Sequence, residues 1–400
     1  MRNPIGVAAK AKGTKALLRR ASAIAQRYGA TPARMECAMD LFVRVLDRFE
    51  SGATFPLTAT TLSRNPTSIA GYLQRNIEFA VHGYAHIDYT QLQCGEVRTD
   101  LRRAIETFGQ AGIPAVGFRS PYLRRSQELY RAIEDAGFLY SSNQPVLWHS
   151  IDTDELGPST LERYARALDF YAPWEASQRL SLPRFCGDLV EIPVSLPDDE
   201  MLVDRLDGQA RGLIRTAWQR ILLQSHERGE IFAMQCHPER IASAADALSA
   251  VLSQSLQLEP EVWIGRLNQV ATWWRGRAAS MTQVTEQADG TLLVSASGPE
   301  GTTILARGVD VLSEAKPWAD GYLRAAGPAC AIRAKCRPFI GISPESSQTL
   351  KSFLNQQGYI SEVSEDQEPY ALYLHRPDFD PQDEKPLLDS VEESDTPLVR

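Results

Sequence analysis

An α/β fold with its strands closed or nearly closed into a barrel is what the sequence predicts, on three observations. Between residues 31 and 265, helix-periodic stretches alternate with short apolar runs, the signature of βα units whose strands are buried on both faces. The chain is 43% hydrophobic and 23% charged, the balance of a soluble globular protein. Its 400 residues exceed what one core usually organises, so a large α/β unit with a smaller companion is expected.

The elements follow in order. Residues 1–30 are basic: from Met1 to Met35 there are eight Lys or Arg and no acid, the first carboxylate being Glu36. Leu17, Leu18, Ala21, Ile24 and Ala25 recur at helical spacing there. This reads as an amphipathic helix docked on the main domain with a solvated basic face, or one making weak contact with an anionic surface. Thr31-Pro32 supplies an N-cap and a Pro at the first helical position, opening a helix through Phe49. Strands are predicted at Ala53 to Leu57, Ile77 to Val81, Ala115 to Phe118, Phe138 to Tyr140, Leu189 to Val194, Ile231 to Cys236 and Val262 to Ile264. Helices are predicted between them at Arg98 to Phe108, Gln127 to Ala136 and Ile214 to Arg228. Together these make residues 31–277 one barrel-like unit.

Beyond it, residues 280–375 read as a small α+β domain. Thr291 to Ser297 and Thr303 to Arg307 are β-like around a Ser-Gly-Pro-Glu-Gly turn, an expected hairpin, and FIGIS, SQTLKSFLNQQ and YALYL follow as strand, helix and strand. Residues 376–400, rich in Asp, Glu and Pro, read as a disordered acidic tail.

Charge excludes some function classes. A net charge of −8 argues against nucleic-acid binding, which needs a basic surface. No apolar run approaches the ~20 residues of a membrane span. The basic start lacks the apolar core of a secretory signal, and the six cysteines are scattered with no CxxC pair, so a cytoplasmic protein with reduced thiols is expected.

Three polar clusters follow predicted strands, at the carboxyl ends where α/β folds place active sites. In VHGYAHIDY, His82 and His86 stand four residues apart, which one helical turn would bring to one side. They are either a metal-ligand or active-site pair, or structural histidines. In GFRSPY, Arg119 is either a surface residue or the partner of a buried carboxylate, and Pro121 turns the chain so that Tyr122 lies in a loop over the mouth. In QCHPER, His237 is a site residue or a capping histidine.

Taken together, the clusters resemble the polysaccharide deacetylase family, also called the NodB-homology domain or carbohydrate esterase family 4, over approximately Ala33 to Trp274. His82 to His86 looks like its His-x-x-x-His zinc motif, Arg119 to Tyr122 like its Arg-x-Pro-Tyr motif, and Cys236 to Pro238 like its Leu-His-Pro motif. ATFPL resembles its second strand. The resemblance implies a distorted (β/α) barrel that hydrolyses the N-acetyl amide of a sugar or glycan, with zinc or another divalent metal at the histidine pair. By the same resemblance, Tyr122 would offer its backbone N–H to the oxyanion, His237 would protonate the leaving amine, and Arg119 would orient a base aspartate.

One departure stands out: the family's first strand ends in two aspartates, and here no acid precedes Glu36. Asp198 and Asp199, just past the strand Leu189 to Val194, are the best replacement pair, although Pro-Asp-Asp-Glu also reads as a helix start. Asp88 and Asp152 are weaker candidates, and His149 reads as structural. The leading expectation is therefore a metal-dependent C–N hydrolase acting on an N-acylated sugar. A metal-independent amide hydrolase and a catalytically impaired barrel that binds a glycan or partner protein are the alternatives.

Overall fold

A computed structural model describes residues 33–206, 210–318, 321–334 and 347–356. The expected basic helix in residues 1–30, the strands FIGIS and YALYL, and the acidic tail 376–400 lie outside the described residues. The chain divides into two compact units between Trp274 and Arg275.

Among the described residues of the first unit, nine short strands form two sheets. They are β1 (Ala53–Leu57), β2 (Ile77–Val81), β3 (Gly117–Phe118), β4 (Tyr140–Ser141), β5 (Pro145–Leu147), β6 (Trp174–Glu175), β7 (Arg184–Cys186), β8 (Leu189–Glu191) and β9 (Val194–Leu196). The larger sheet has the order β1-β2-β3-β4-β8-β7, parallel except for the edge strand β7, and the smaller is β6-β5-β9, all parallel. This mixed α/β arrangement is the distorted (β/α) barrel, its wall built as two arcs.

The run expected as one strand from Leu189 to Val194 is split between the arcs. Pro193 has no N–H to give to a ladder. On either side of it, Ile192 N donates to Ser141 O at 2.8 Å and Val194 N to Gln144 O at 2.8 Å. Two further expectations are corrected. Ile231 to Cys236 and Val262 to Ile264 form no strand. The first runs extended beside the smaller arc, with Ser195 N donating to Ala233 O at 3.0 Å, one isolated bond where a ladder needs several.

Helices cover the sheet because their apolar stripes match its buried face. Val97, Leu101, Ala104 and Phe108 recur at helical spacing along Cys94–Gln110, and Leu129 and Ile133 along Gln127–Asp135. Both sets pack with Phe79, Val81 and Phe118 of the strands in one core. Each helix start is capped: Gln93 N donates to Glu96 Oε2 at 2.9 Å, and Ser126 Oγ accepts from Leu129 N at 3.1 Å.

At the amino end of the strands a buried carboxylate closes the wall. Glu78 accepts from Thr54 Oγ1 at 2.6 Å, Tyr140 Oη at 2.8 Å and Asn268 N at 3.1 Å, so the helix Leu267–Ala278 starts on its charge. Tyr140 can reach across only because residue 117 is glycine: a Cβ there would lie 1.9 Å from the Tyr140 ring.

In the second unit, Met281–Glu286 pairs antiparallel with Leu292–Ser297, and the sheet continues through Ala329–Ala334 to Val309–Val311. The hairpin therefore turns at Asp289-Gly290, with Gly290 at φ +77°, and not at Ser-Gly-Pro-Glu-Gly as expected. Asp-Gly accepts the positive φ of a tight turn, and Leu305–Ala306 pairs instead with Leu323–Ala325. The helix Gln348–Gln356 stands where a helix was expected. Among the described residues no helix is long and apolar enough to cross a membrane.

Candidate functional site

Three strand ends carry the parallel hydrogen-bond pattern one residue further, and that sets the site. His82 N donates to Leu57 O at 2.9 Å, Arg119 N to Val81 O at 2.9 Å, and Ser142 N to Phe118 O at 3.1 Å. His82, Arg119 and Ser142 therefore stand side by side beyond the carboxyl ends of β2, β3 and β4.

His82 is oriented by its neighbour. Its Nδ1 lies 2.7 Å from Arg119 O. A carbonyl can only accept, so Nδ1 carries the proton and Nε2 keeps its lone pair. Burial, then the proximity of His86, Arg119 and His237, push the His82 pKa down to about 3, so the ring is neutral. His86 lies edge-on to it with ring centroids 5.0 Å apart, and Tyr122 lies edge-on to His86 at 4.6 Å. Tyr122 has φ +61°, a left-handed backbone unusual for a non-glycine residue, of the kind that folds retain at functional loops.

The other side of the mouth is built from Asp198, Asp199 and the QCHPER segment. Asp198 follows β9 and Pro197, and Asp199 opens the short helix Asp199–Asp204. Asp198 Oδ1 caps that helix, accepting from Met201 N at 2.9 Å, and Oδ2 accepts from Gln235 Nε2 at 2.8 Å. Gln235 Oε1 in turn accepts from Arg119 Nη1 at 2.7 Å. Asp199 binds His237 twice, taking Nδ1–H on Oδ1 and the main-chain N–H on Oδ2, each at 2.6 Å. Burial raises the Asp198 pKa to about 6, and both aspartates are fully buried.

All the residues singled out in the sequence motifs thus meet at one end of the barrel. Asp198 caps a helix and also contacts the mouth network, while Asp199 is joined to His237. The weaker candidates have local roles. Asp88 accepts from Thr90 N at 2.9 Å and pairs with Arg124 at 3.4 Å, Asp152 accepts from Asp154 N at 3.2 Å, and exposed His149 pairs with Glu175 at 3.0 Å. Ser142 and Gln235, which hold Arg119, were not anticipated. Their signals were the polar run Ser141 to Gln144 directly after an apolar strand and the glutamine two residues before His237.

Two arrangements of side chains suit a divalent metal unequally. Among the described residues, Asp198, Asp199 and His237 form the one set of three whose ligand-type atoms all lie within 4.8 Å of one another. Each of those carboxylate oxygens already accepts an N–H and His237 Nδ1 is taken by Asp199, so an ion there would share the oxygens with existing hydrogen bonds and use the other ring nitrogen of His237. His82 and His86 fit better. The Nδ1–H of His82 is anchored on a main-chain carbonyl, the support that metal-ligating imidazoles commonly have, and its Nε2 is unprotonated. The pair fits two nitrogen positions, and no carboxylate joins them among the described residues.

Residues 22–141 match the family model described as polysaccharide deacetylase. No curated protein matches the chain. Solved structures similar to it include one described as a polysaccharide deacetylase from Mycobacterium smegmatis (22% identity, 62% of this chain and 81% of that one, TM-score 0.46). Others are a PuuE allantoinase (18%, 60% and 72%, TM-score 0.45) and BA3943, a CE4 family pseudoenzyme from Bacillus anthracis (14%, 59% and 61%, TM-score 0.36). The family-model match is confined to residues 22–141, within the first unit, and that stretch carries the chain's similarity to the polysaccharide deacetylase family.

Proposed function

We propose that this protein hydrolyses the amide of an N-acylated sugar or glycan, with His237 as the group that moves the proton. The observation that carries the reading is the Asp199–His237 pair. Asp199 holds the Nδ1–H tautomer, so the Nε2 of His237 is basic at rest and acidic once protonated. One imidazole can then take the proton of the attacking water and return it to the leaving amine, which reduces the need for a separate aspartate base. The main-chain N–H of Tyr122, on a backbone with φ +61° beside His86, would be the donor for the tetrahedral oxyanion. His82 and His86 would hold a divalent metal, zinc or another, which when bound polarises the acyl carbonyl and acidifies water.

The test is acetate release from N-acetylated oligosaccharides by the full chain, with zinc and with chelator. His237→Ala should lower turnover by ~10² to 10⁴. Turnover unchanged by that substitution would overturn the assignment. A second reading is a barrel that binds its glycan without cleaving it, because no acid precedes Glu36 where the family resembled here carries two aspartates; such a protein would bind the oligosaccharide and release no acetate.

A further inference from the structure

Arg119 is a buried cation whose side-chain partners are all neutral. Its residue is only 9% exposed. Nη1 donates to the amide oxygen of Gln235 at 2.7 Å and Nη2 to the hydroxyl of Ser142 at 2.6 Å, while Nε is buried without an acceptor. No carboxylate lies within ion-pair distance of it among the described residues. The nearby acids are engaged elsewhere. Glu191 takes Ser141 Oγ and the main-chain N–H groups of Asn143 and Gln144, and Asp198 takes Met201 N and Gln235 Nε2. They act on the guanidinium only through space, and burial outweighs them, pushing its pKa down to about 10.

A guanidinium held in fixed orientation by neutral acceptors, with unused N–H groups, is suited to an oxyanion, because its planar donors match a carboxylate. Its place supports the same reading. The main-chain carbonyl of Arg119 orients His82, and its Nη1 touches the glutamine two residues before His237, so an anion drawn to Arg119 arrives beside both imidazoles. We propose that Arg119 seats an acidic group carried by the ligand, the carboxylate of an acidic sugar, at the mouth of the barrel. This deepens the glycan reading above and rests on it for the sugar.

Calorimetric titration of the full chain with glucuronate, its neutral methyl ester and glucose, at matched ionic strength, tests the seat. Glucuronate should bind at least about tenfold more tightly than the ester or glucose, since the ester keeps the ring and loses the charge. Ser142→Asp would place the chain's own carboxylate on Nη2 and should abolish the preference, and Arg119→Met should abolish it too. Equal affinity for acid and ester, no binding of either, or a preference that survives in folded Arg119→Met would overturn the proposal. Both substitutions alter buried positions, and if neither variant folds, the acid-to-ester ratio of the unaltered protein decides alone. Acid-selective binding with no acetate release from N-acetylated sugars would leave the seat standing and remove the hydrolase. Equal acetate release from neutral and acidic sugars, without acid-selective binding, would do the reverse.

Discussion

His237 and Asp199 are joined twice, through the imidazole Nδ1–H and through the main-chain N–H, each at 2.6 Å. A carboxylate used in this way fixes both the tautomer of the ring and the position of the backbone that carries it. Asp199 is fully buried while the side chain of His237 keeps 31% of its surface exposed, so the pair reaches the surface through the imidazole.

Asp199→Asn should therefore act on chemistry. An asparagine can offer its oxygen or its amide to Nδ1 and no longer imposes one tautomer, so turnover should fall by ~10² to 10⁴ with substrate affinity little changed. Steady-state kinetics on whichever N-acylated sugar proves active would check it. A variant with full turnover would reduce Asp199 to a structural anchor.

Asp198→Asn should act on stability. The aspartate caps the helix Asp199–Asp204, and asparagine caps nearly as well, so the change mainly removes a buried charge. Its folded pKa of about 6 lies above the ordinary carboxylate value. The native state thus binds the proton more tightly than the unfolded chain, and this contribution is lost as pH rises from about 4 to about 6. Denaturation of both proteins at pH 4 and pH 7 should show that the variant loses less stability over that interval, by on the order of 2 kcal/mol. Parallel pH profiles would contradict the assignment.

His82 should stay neutral throughout the neutral range, because burial and the proximity of His86, Arg119 and His237 hold its pKa near 3. The sign is opposite to that of Asp198: as pH falls below about 6.5 the unfolded chain takes a proton that the native ring refuses, and stability is lost toward pH 3. Imidazole resonances followed by NMR from pH 8 to pH 5 should show no titration shift for His82, whose signal is assigned by its loss in His82→Asn. Titration of that signal near pH 6.5 would place His82 in water.

Metal content should depend on the imidazole pair. Zinc added to the full chain and then dialysed should be retained, and the double change His82→Ala, His86→Ala should remove it, while Asp199→Asn should not. Retention by the double variant with loss in Asp199→Asn would move the metal to Asp198, Asp199 and His237.

Residues 1–278 should fold alone. The helix Leu267–Ala278 belongs to the barrel wall through Leu267, Val270, Ala271 and Trp274, and it starts on Thr54 and Glu78, so the cut must fall after it. A cooperative thermal transition of that fragment is the expected result; a molten or insoluble product would show that the second unit completes the core.

The sequence by itself determined which residues stand at strand ends. Ile77 to Val81 is apolar throughout and the first polar residue after it is His82, so the strand and the start of the site share one boundary; the same holds for Phe118 and Arg119. The hairpin was misplaced by one loop: Asp289-Gly290 carries the signal of a tight turn, but the apolar runs on either side of Ser-Gly-Pro-Glu-Gly drew the reading there. Only the tertiary structure decided what the charged groups do. Asp199 meets His237 across 38 residues and Arg119 meets Gln235 across 116. Periodicity reports which face of an element is apolar, and it carries no information about which distant donor will meet which acceptor. The adjacent aspartates look alike in sequence, yet one caps a helix and reaches Gln235 while the other holds the imidazole, because the backbone turns at the helix start and sends successive side chains in different directions. The extended run Ile231 to Cys236 was read as a strand for the same reason: its apolar residues are genuine, but a ladder also needs a partner edge in register, and only the assembled fold shows that this edge supplies a single bond.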